Sequence, residues 1–395
     1  MHLFIHALGA SAGGGLTYLR NLAPQLAERS DLTTTLLTGE AAASVLHSSG
    51  NLRILTGDME RRGTFSRFWR EQVEIPRMIR NVAADVLLSA GNFAVWNSPV
   101  PQILLSRNSL YTSADFRHDL IRRGDYRMWA DTQLKGFLAK QSIRHAELTL
   151  APSQAFAREL QPWSDRQVEA LHHGFDPEIF FQDATPLPSE TLSKLKETEG
   201  SVRLLFVSHY NYYRNFETLL RAVPLLKQQR PNDKFRIMLT CELTTGKNPG
   251  SYRPESANAL LRELGIERDV VQLGSIPYPS LHHVYRSCDI YVTPAYTETF
   301  AHPLVEAMAC GLPVVASDLQ VHRDITDGAA LFFDRFSPPQ LADRIVQLLE
   351  HPAQRAELCH RGIERSRTFS WKSHAQRLIE LAEGLTGPGS HAARA

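Results

Sequence analysis

Short apolar runs alternate with longer amphipathic stretches along almost the whole chain, and this alternation limits the possible folds more than any other feature. The runs in the first half are Leu3–Leu8, Thr33–Leu37, Asp85–Ser89, Gln102–Ser106, Glu147–Ala151 and Val168–Leu171. Those in the second half are Val202–Ser208, Phe235–Thr240, Val270–Gly274, Asp289–Thr293, Pro313–Ser317 and Ala330–Phe333. Between them lie helical patterns such as Leu16–Ala27, Phe216–Gln229, Ala257–Leu264 and Pro339–Glu350. A strand that returns to its own sheet through a helix must run parallel to its neighbour, and a continuously apolar strand is covered on both faces. The expected class is therefore α/β, built from Rossmann-like, doubly wound parallel sheets.

A chain of 395 residues has room for two such domains. The composition shifts at Asp183-Ala184-Thr185-Pro186-Leu187-Pro188, and the charged run Lys194–Glu199 follows before a new buried strand at Val202. This reads as a first domain over residues 1–182, a linker over 183–200 and a second domain over 201–368. A flexible tail is expected over 387–395, from Gly387-Pro388-Gly389-Ser390 onward.

A net charge of +1 argues against a nucleic-acid partner, which calls for a clear basic excess. Cys241, Cys288, Cys310 and Cys359 include no CxxC pair and no zinc spacing, and Cys288 and Cys310 sit in apolar contexts, so buried structural thiols compatible with a reducing compartment are expected there. The opening Met1-His2-Leu3-Phe4-Ile5-His6-Ala7 reads as a strand and not as a signal peptide. No window is apolar enough to span a bilayer. A cytoplasmic protein is the expectation. Thr64–Arg80, preceded by Arg61 and Arg62, interleaves cations with Phe65, Phe68 and Trp69. Its preferred reading is an amphipathic core helix with a solvated basic face, and its alternative is a peripheral contact at the inner face of a membrane. Pro76 weakens that alternative.

The chemistry concentrates in Pro294–Asp318. A strand ends near Thr293, Pro303 suits the first turn of a helix, Gly311 suits the position just past its end, and Val314-Val315-Ala316 starts the next strand. Glu298 then lies on the loop at the carboxyl end of a strand and Glu306 lies about one turn into the helix. Open parallel sheets bind ligands beyond the carboxyl ends of their strands. A helix start at Pro303, Leu304 and Val305 favours phosphate, and a carboxylate one turn along suits paired ribose hydroxyls.

The whole string Glu298-Thr299-Phe300-Ala301-His302-Pro303-Leu304-Val305-Glu306-Ala307-Met308-Ala309-Cys310-Gly311-Leu312-Pro313-Val314-Val315-Ala316-Ser317 resembles the Glu-x7-Glu motif of the retaining GT-B glycosyltransferases of family 4. Members usually carry glycine where this chain has Thr299 and Ala301. The resemblance implies two Rossmann-like domains facing across a cleft, a nucleotide-sugar donor, retention at the anomeric carbon, and a last helix over 369–386 that crosses back to the first domain. It implies that Glu298 contacts the donor sugar and Glu306 the ribose. Backbone groups of Thr299, Phe300, Ala301, Pro303 and Leu304 would hold the sugar and diphosphate. Ser208–Asn215 resembles the family's diphosphate clamp, with His209 in place of Arg and Arg214 in place of Lys. Ser275 and Ile276 fall where members grip the base. Gly14 and Gly15, after the first strand, fall on the loop that members place over the reaction centre. Arg107 and Asn108 stand near the position of a family His, on the sugar or acceptor side.

No Asp-x-Asp occurs, so no metal and no cofactor are expected; Arg214, His209 and a helix N-terminus would take the metal's role. The acceptor is expected to be a glycan, a glycolipid or a small molecule. Two alternatives remain at this stage: a catalytically inactive nucleotide-sugar-binding module and a GT-B nucleotide-sugar epimerase.

Overall fold

The computed structural model describes residues 1–10, 13–57, 64–182, 185–248 and 251–386. Arg61, Arg62, Asp183, Ala184 and the tail from Gly387 lie outside the described residues. The chain divides into two compact units, Met1–Gly174 with Ser370–Ala395, and Phe175–Phe369.

In the first unit seven strands form one parallel sheet: β1 (His2–Ala7), β2 (Thr33–Thr38), β3 (Leu52–Thr56), β4 (Val86–Ser89), β5 (Gln102–Leu105), β6 (Leu148–Ala151) and β7 (Val168–Ala170). Their order is β3-β2-β1-β4-β5-β6-β7, so the direction of winding reverses between β1 and β4. Strand β1 shows why the sheet is buried on both sides. Leu3, Ile5 and Ala7 pack with Tyr18, Leu22 and Leu26 of the helix Gly13–Ala27, and with Leu378 and Ile379 of the helix Trp371–Thr386. Phe4 and Leu8, on the opposite face, pack with Ile75 and Ile79 of the helix Thr64–Asn81. Each fully buried Leu, Ile or Phe stabilises the unit by about 1.5–3 kcal/mol before entropy is charged.

The last helix is fixed to this unit by polar contacts as well. Tyr18 Oη and His374 Nε2 lie 3.1 Å apart, and His374 Nδ1 sits 2.7 Å from the His172 carbonyl. Gly174 meets the backbone of Trp371 so closely that a Cβ would fall 2.2 Å from its amide nitrogen. Only glycine fits there.

The helix Thr64–Asn81 continues through Pro76, held by the buried Ile75 and Ile79. Phe68 is buried against Phe93 and Trp96, while Trp69 (48% exposed) and Val73 (52%) face outward. Among the described residues no helix is long and apolar enough to cross a membrane.

The second unit holds a six-stranded parallel sheet: β8 (Val202–Phe206), β9 (Phe235–Leu239), β10 (Val270–Gln272), β11 (Ile290–Thr293), β12 (Val314–Ser317) and β13 (Ala330–Phe333). Their order, β10-β9-β8-β11-β12-β13, places the reversal between β8 and β11. The helix Phe216–Gln229 buries Phe216, Leu219, Leu220, Val223 and Leu226, the spacing of one helical stripe. Within 185–200 the helix Ser189–Lys196 forms.

Candidate active site

The loops that leave β8 and β11 meet at the reversal point of the second sheet, where an open α/β sheet presents its crevice. Tyr296 N donates to the Tyr213 carbonyl at 3.0 Å. Asn215 Nδ2 donates to the carbonyls of Pro294 (3.0 Å) and Arg335 (2.6 Å). Asn215 has φ 54°, a left-handed conformation that asparagine tolerates, and it starts the helix Phe216–Gln229. This lattice of backbone bonds sets the distance between two side chains, Arg214 and Glu298.

Arg214 and Glu298 form a short charged hydrogen bond through Nη1 and Oε2. The Thr299 amide donates to the other carboxylate oxygen at 3.0 Å. Burial alone would raise the Glu298 pKa, but the Arg214 charge and the Thr299 amide outweigh it, so the carboxyl is held below its usual range. Glu298 is thus a fixed anion. The guanidinium also lies over the Tyr213 ring, 4.8 Å from its centroid. Its Nε is buried and has no partner among the described residues, which leaves a donor free for an anionic group. His209 behaves differently. Burial, and then the nearby Arg214 charge, push it down to about 4, so its imidazole is neutral near neutral pH. The permanent positive charge of the cradle is Arg214.

Glu306 sits in the helix His302–Ala309 and is buried. Tyr285 Oη donates to its Oε2 at 2.8 Å and lies 3.1 Å from the Pro303 carbonyl. Tyr278 hydrogen-bonds the same carboxyl. Burial outweighs both tyrosines and raises Glu306 to about 7. Neither tyrosine was singled out in the sequence. The signal lay in Tyr278 and Tyr285 being seven apart, on one helical face of the segment before β11.

His322 is a third member that sequence reasoning missed. Fully buried, it places Nδ1 2.9 Å from the Ser317 carbonyl. Ser317 Oγ in turn donates to the Ala295 carbonyl and so ties β12 to the loop that carries Glu298.

Ala301 precedes the helix with φ 65° and ψ 65°. Where the family usually has glycine, this chain holds an alanine in the left-handed region, at a cost of about 1–2 kcal/mol. The Leu304 amide turns back onto the Ala301 carbonyl at 3.0 Å, so it is already occupied. Ala301→Gly should relieve the strain and, after the extra entropy of an unfolded glycine, stabilise the chain by about 0.5–1 kcal/mol. A denaturation midpoint that falls in the variant would contradict this.

The remaining sequence candidates lie elsewhere. Ser275 and Ile276 follow β10 and Gly274, whose φ is +79°. In the first unit Arg107 Nη2 donates to the Ala90 carbonyl at 2.7 Å and Nη1 to the Gly14 carbonyl at 3.3 Å, under a cation–π contact with Tyr18. Two of its guanidinium nitrogens thus hold backbone carbonyls, one of them on the glycine loop, while its buried Nε has no partner among the described residues. Asn108 accepts from Leu110 N at 3.0 Å and caps a short turn. A Cβ on Gly15 would come within 3.1 Å of the Ala10 backbone, whereas Gly14 has open space. Among the described residues, no three His, Cys, Asp or Glu side chains cluster as a metal site.

Two Rossmann-like units, with seven and six parallel strands, define a GT-B fold. Sucrose-phosphate synthase from Thermosynechococcus elongatus superposes with a TM-score of 0.75 at 19% identity, over 97% of this chain and 98% of that one. HepE from Anabaena, in complex with UDP and glucose, gives 0.71 at 17% identity, over 97% and 99%. In sequence, residues 189–369 match the family model described as glycosyl transferases group 1. A D-inositol 3-phosphate glycosyltransferase from Thermobispora bispora is 32% identical over 281 residues, 69% of this chain and 64% of that protein. The chain spans less than two thirds of the length of the first curated relatives it matches. Residues 189–369, most of the second unit, belong to the glycosyl transferases group 1 family.

Proposed function

We propose that this chain transfers a sugar from a nucleotide-sugar donor to a hydroxyl acceptor, with retention at the anomeric carbon and without a divalent ion. The observation that carries the reading is the Arg214–Glu298 pair at the reversal point of the second sheet, one helix away from Glu306. As the sugar departs, negative charge collects on the leaving diphosphate. Arg214 supplies the permanent cation for it, and its unpartnered Nε is a spare donor. His209, being neutral, contributes at most a hydrogen bond. Glu298, held ionised, accepts from hydroxyls of the donor sugar and orients it. Glu306 accepts from the ribose hydroxyls. No side chain is assigned as a nucleophile; retention follows from acceptor attack on the face the diphosphate leaves, with the phosphate taking the proton.

The chain's similarity to a protein solved with UDP and glucose makes UDP-sugars the first donors to try. The test incubates the chain with UDP-, GDP-, ADP- and dTDP-sugars and a set of polyol acceptors, with and without EDTA. Proton NMR then reads the anomeric configuration of the product. Transfer that keeps the donor's configuration and survives the chelator is expected. An inverted linkage, or activity abolished by EDTA and restored by a divalent ion, overturns the corresponding half of the proposal.

A further inference from the structure

The first unit has a reversal point of its own, between β1 and β4. A second polar cluster is buried there. His6 is the penultimate residue of β1 and lies beside Ser89, the last of β4. The helix Thr64–Asn81 brings Arg67 and Glu71, four apart on one face, over the same strand ends. Glu71 Oε1 lies 3.6 Å from His6 Nε2 and 3.2 Å from Arg67 Nε. The His6 and Glu71 side chains are 7% and 6% exposed, and Arg67 is 24% exposed at the rim.

These groups are not satisfied by one another. Both ring nitrogens of His6 and the Nε of Arg67 are buried with no hydrogen-bond partner among the described residues. Buried polar atoms are rarely left so, because each unmade bond is costly. The three side chains line a cavity of about 10 Å3, walled also by Gly9, Gly91 and Phe93. That is close to the volume one water oxygen occupies. Gly91 leaves open space around the position a side chain would take, so the cavity has an approach. Phe93 adds an apolar wall, the combination of aromatic lining and a few placed polar groups that small-molecule sites use.

We infer that His6, Arg67 and Glu71 form a hydroxyl-binding subsite that takes one hydroxyl of a polyol or sugar acceptor. A hydroxyl is the group that fits. It donates to the Glu71 carboxylate and accepts from Arg67 or His6, and it is no larger than the cavity. A carboxylate or phosphate would be repelled by Glu71, and an apolar group would leave the His6 ring nitrogens and the Arg67 Nε without a hydrogen bond. The inference rests on the transferase reading, since it assigns this place to the acceptor.

The test measures binding directly and turnover separately, on the full chain. Saturation-transfer NMR titrations use myo-inositol, methyl α-D-mannoside and glycerol as probes. Glu71→Gln and Arg67→Gln should each weaken the best probe by about tenfold to a hundredfold, the loss expected for a hydrogen bond to a charged group. In transfer assays the acceptor KM should rise by a similar factor and kcat should move much less. If Glu71→Gln does not fold, Arg67→Gln at the rim carries the test. Absence of probe binding by the wild-type chain, or equal binding by the variants, overturns the subsite. Turnover with an unmoved acceptor KM also overturns it and leaves the transferase reading standing. Probe binding that the variants lose, with no donor ever turned over, overturns the transferase reading alone.

Discussion

Arg214→Ala should lower kcat/KM by about a thousandfold, the upper end of what a single directed donor contributes to a developing anion. Both jobs of the residue vanish together: the cation beside the leaving diphosphate and the partner of Glu298. Stability should fall too, by about 3 kcal/mol, because Glu298 is left as a buried carboxylate with no cation. The figure sits at the low end of the range for buried pairs since the two side chains keep 23% and 13% exposure. The two effects can be separated. Arg214→Lys keeps a charge but loses the planar fork, and should cost about tenfold to a hundredfold in kcat/KM with little loss of stability. The double variant Arg214→Ala/Glu298→Gln removes both charges and should recover most of the denaturation midpoint while remaining inactive. Steady-state kinetics and urea denaturation on these variants check the argument. Arg214→Ala activity within about threefold of wild type would refute the assigned role.

Much of this was legible beforehand because parallel sheets write themselves into the sequence as uninterrupted apolar runs. Every run named in the sequence lies on a strand of the structure. The strand that escaped, β3, is an edge strand pairing only with β2, and only its first residue, Leu52, is buried. An edge strand needs no continuous apolar pattern. The helix Tyr126–His145 writes a weaker pattern, because Tyr126, Leu134 and Phe137 are exposed and blur its apolar stripe. In the site, the two carboxylates and Arg214 could be found because they fall within a contiguous motif or just after a strand. Tyr285 left only its seven-residue spacing from Tyr278 as a signal, and His322 left none. They reach the cradle from separate elements, and only the folded register of β11 and β12 brings them there. Arg107 sits at a strand end as the sequence suggests, with two guanidinium nitrogens on the Gly14 and Ala90 carbonyls and its buried Nε without a partner among the described residues.

The Glu306 carboxyl should give the chain a pH dependence near neutrality that neither Arg214 nor Glu298 can supply. Burial raises it to about 7, against an ordinary 4.5 in the unfolded chain. A raised carboxyl binds its proton more tightly in the folded state, so its contribution to stability is full below pH 4.5. That contribution is lost as pH rises toward and through about 7, and amounts to roughly 3 kcal/mol at most. Donor binding should run the other way. The ionised carboxylate accepts from two ribose hydroxyls, whereas in the protonated form one oxygen carries the proton and is a donor instead. The donor KM is therefore expected to fall as pH rises from 6 to 8, with kcat changing less. Glu306→Gln fixes the uncharged form. It should raise the donor KM about tenfold to a hundredfold at pH 8, flatten its pH profile, and make the chain more stable than wild type above pH 7. Tyr285→Phe provides the internal check: removing a hydrogen bond that favours the ionised form should move the midpoint of the KM profile upward. A donor KM in Glu306→Gln that still follows pH through the same midpoint would assign the titration to some other group and remove Glu306 from the ribose site.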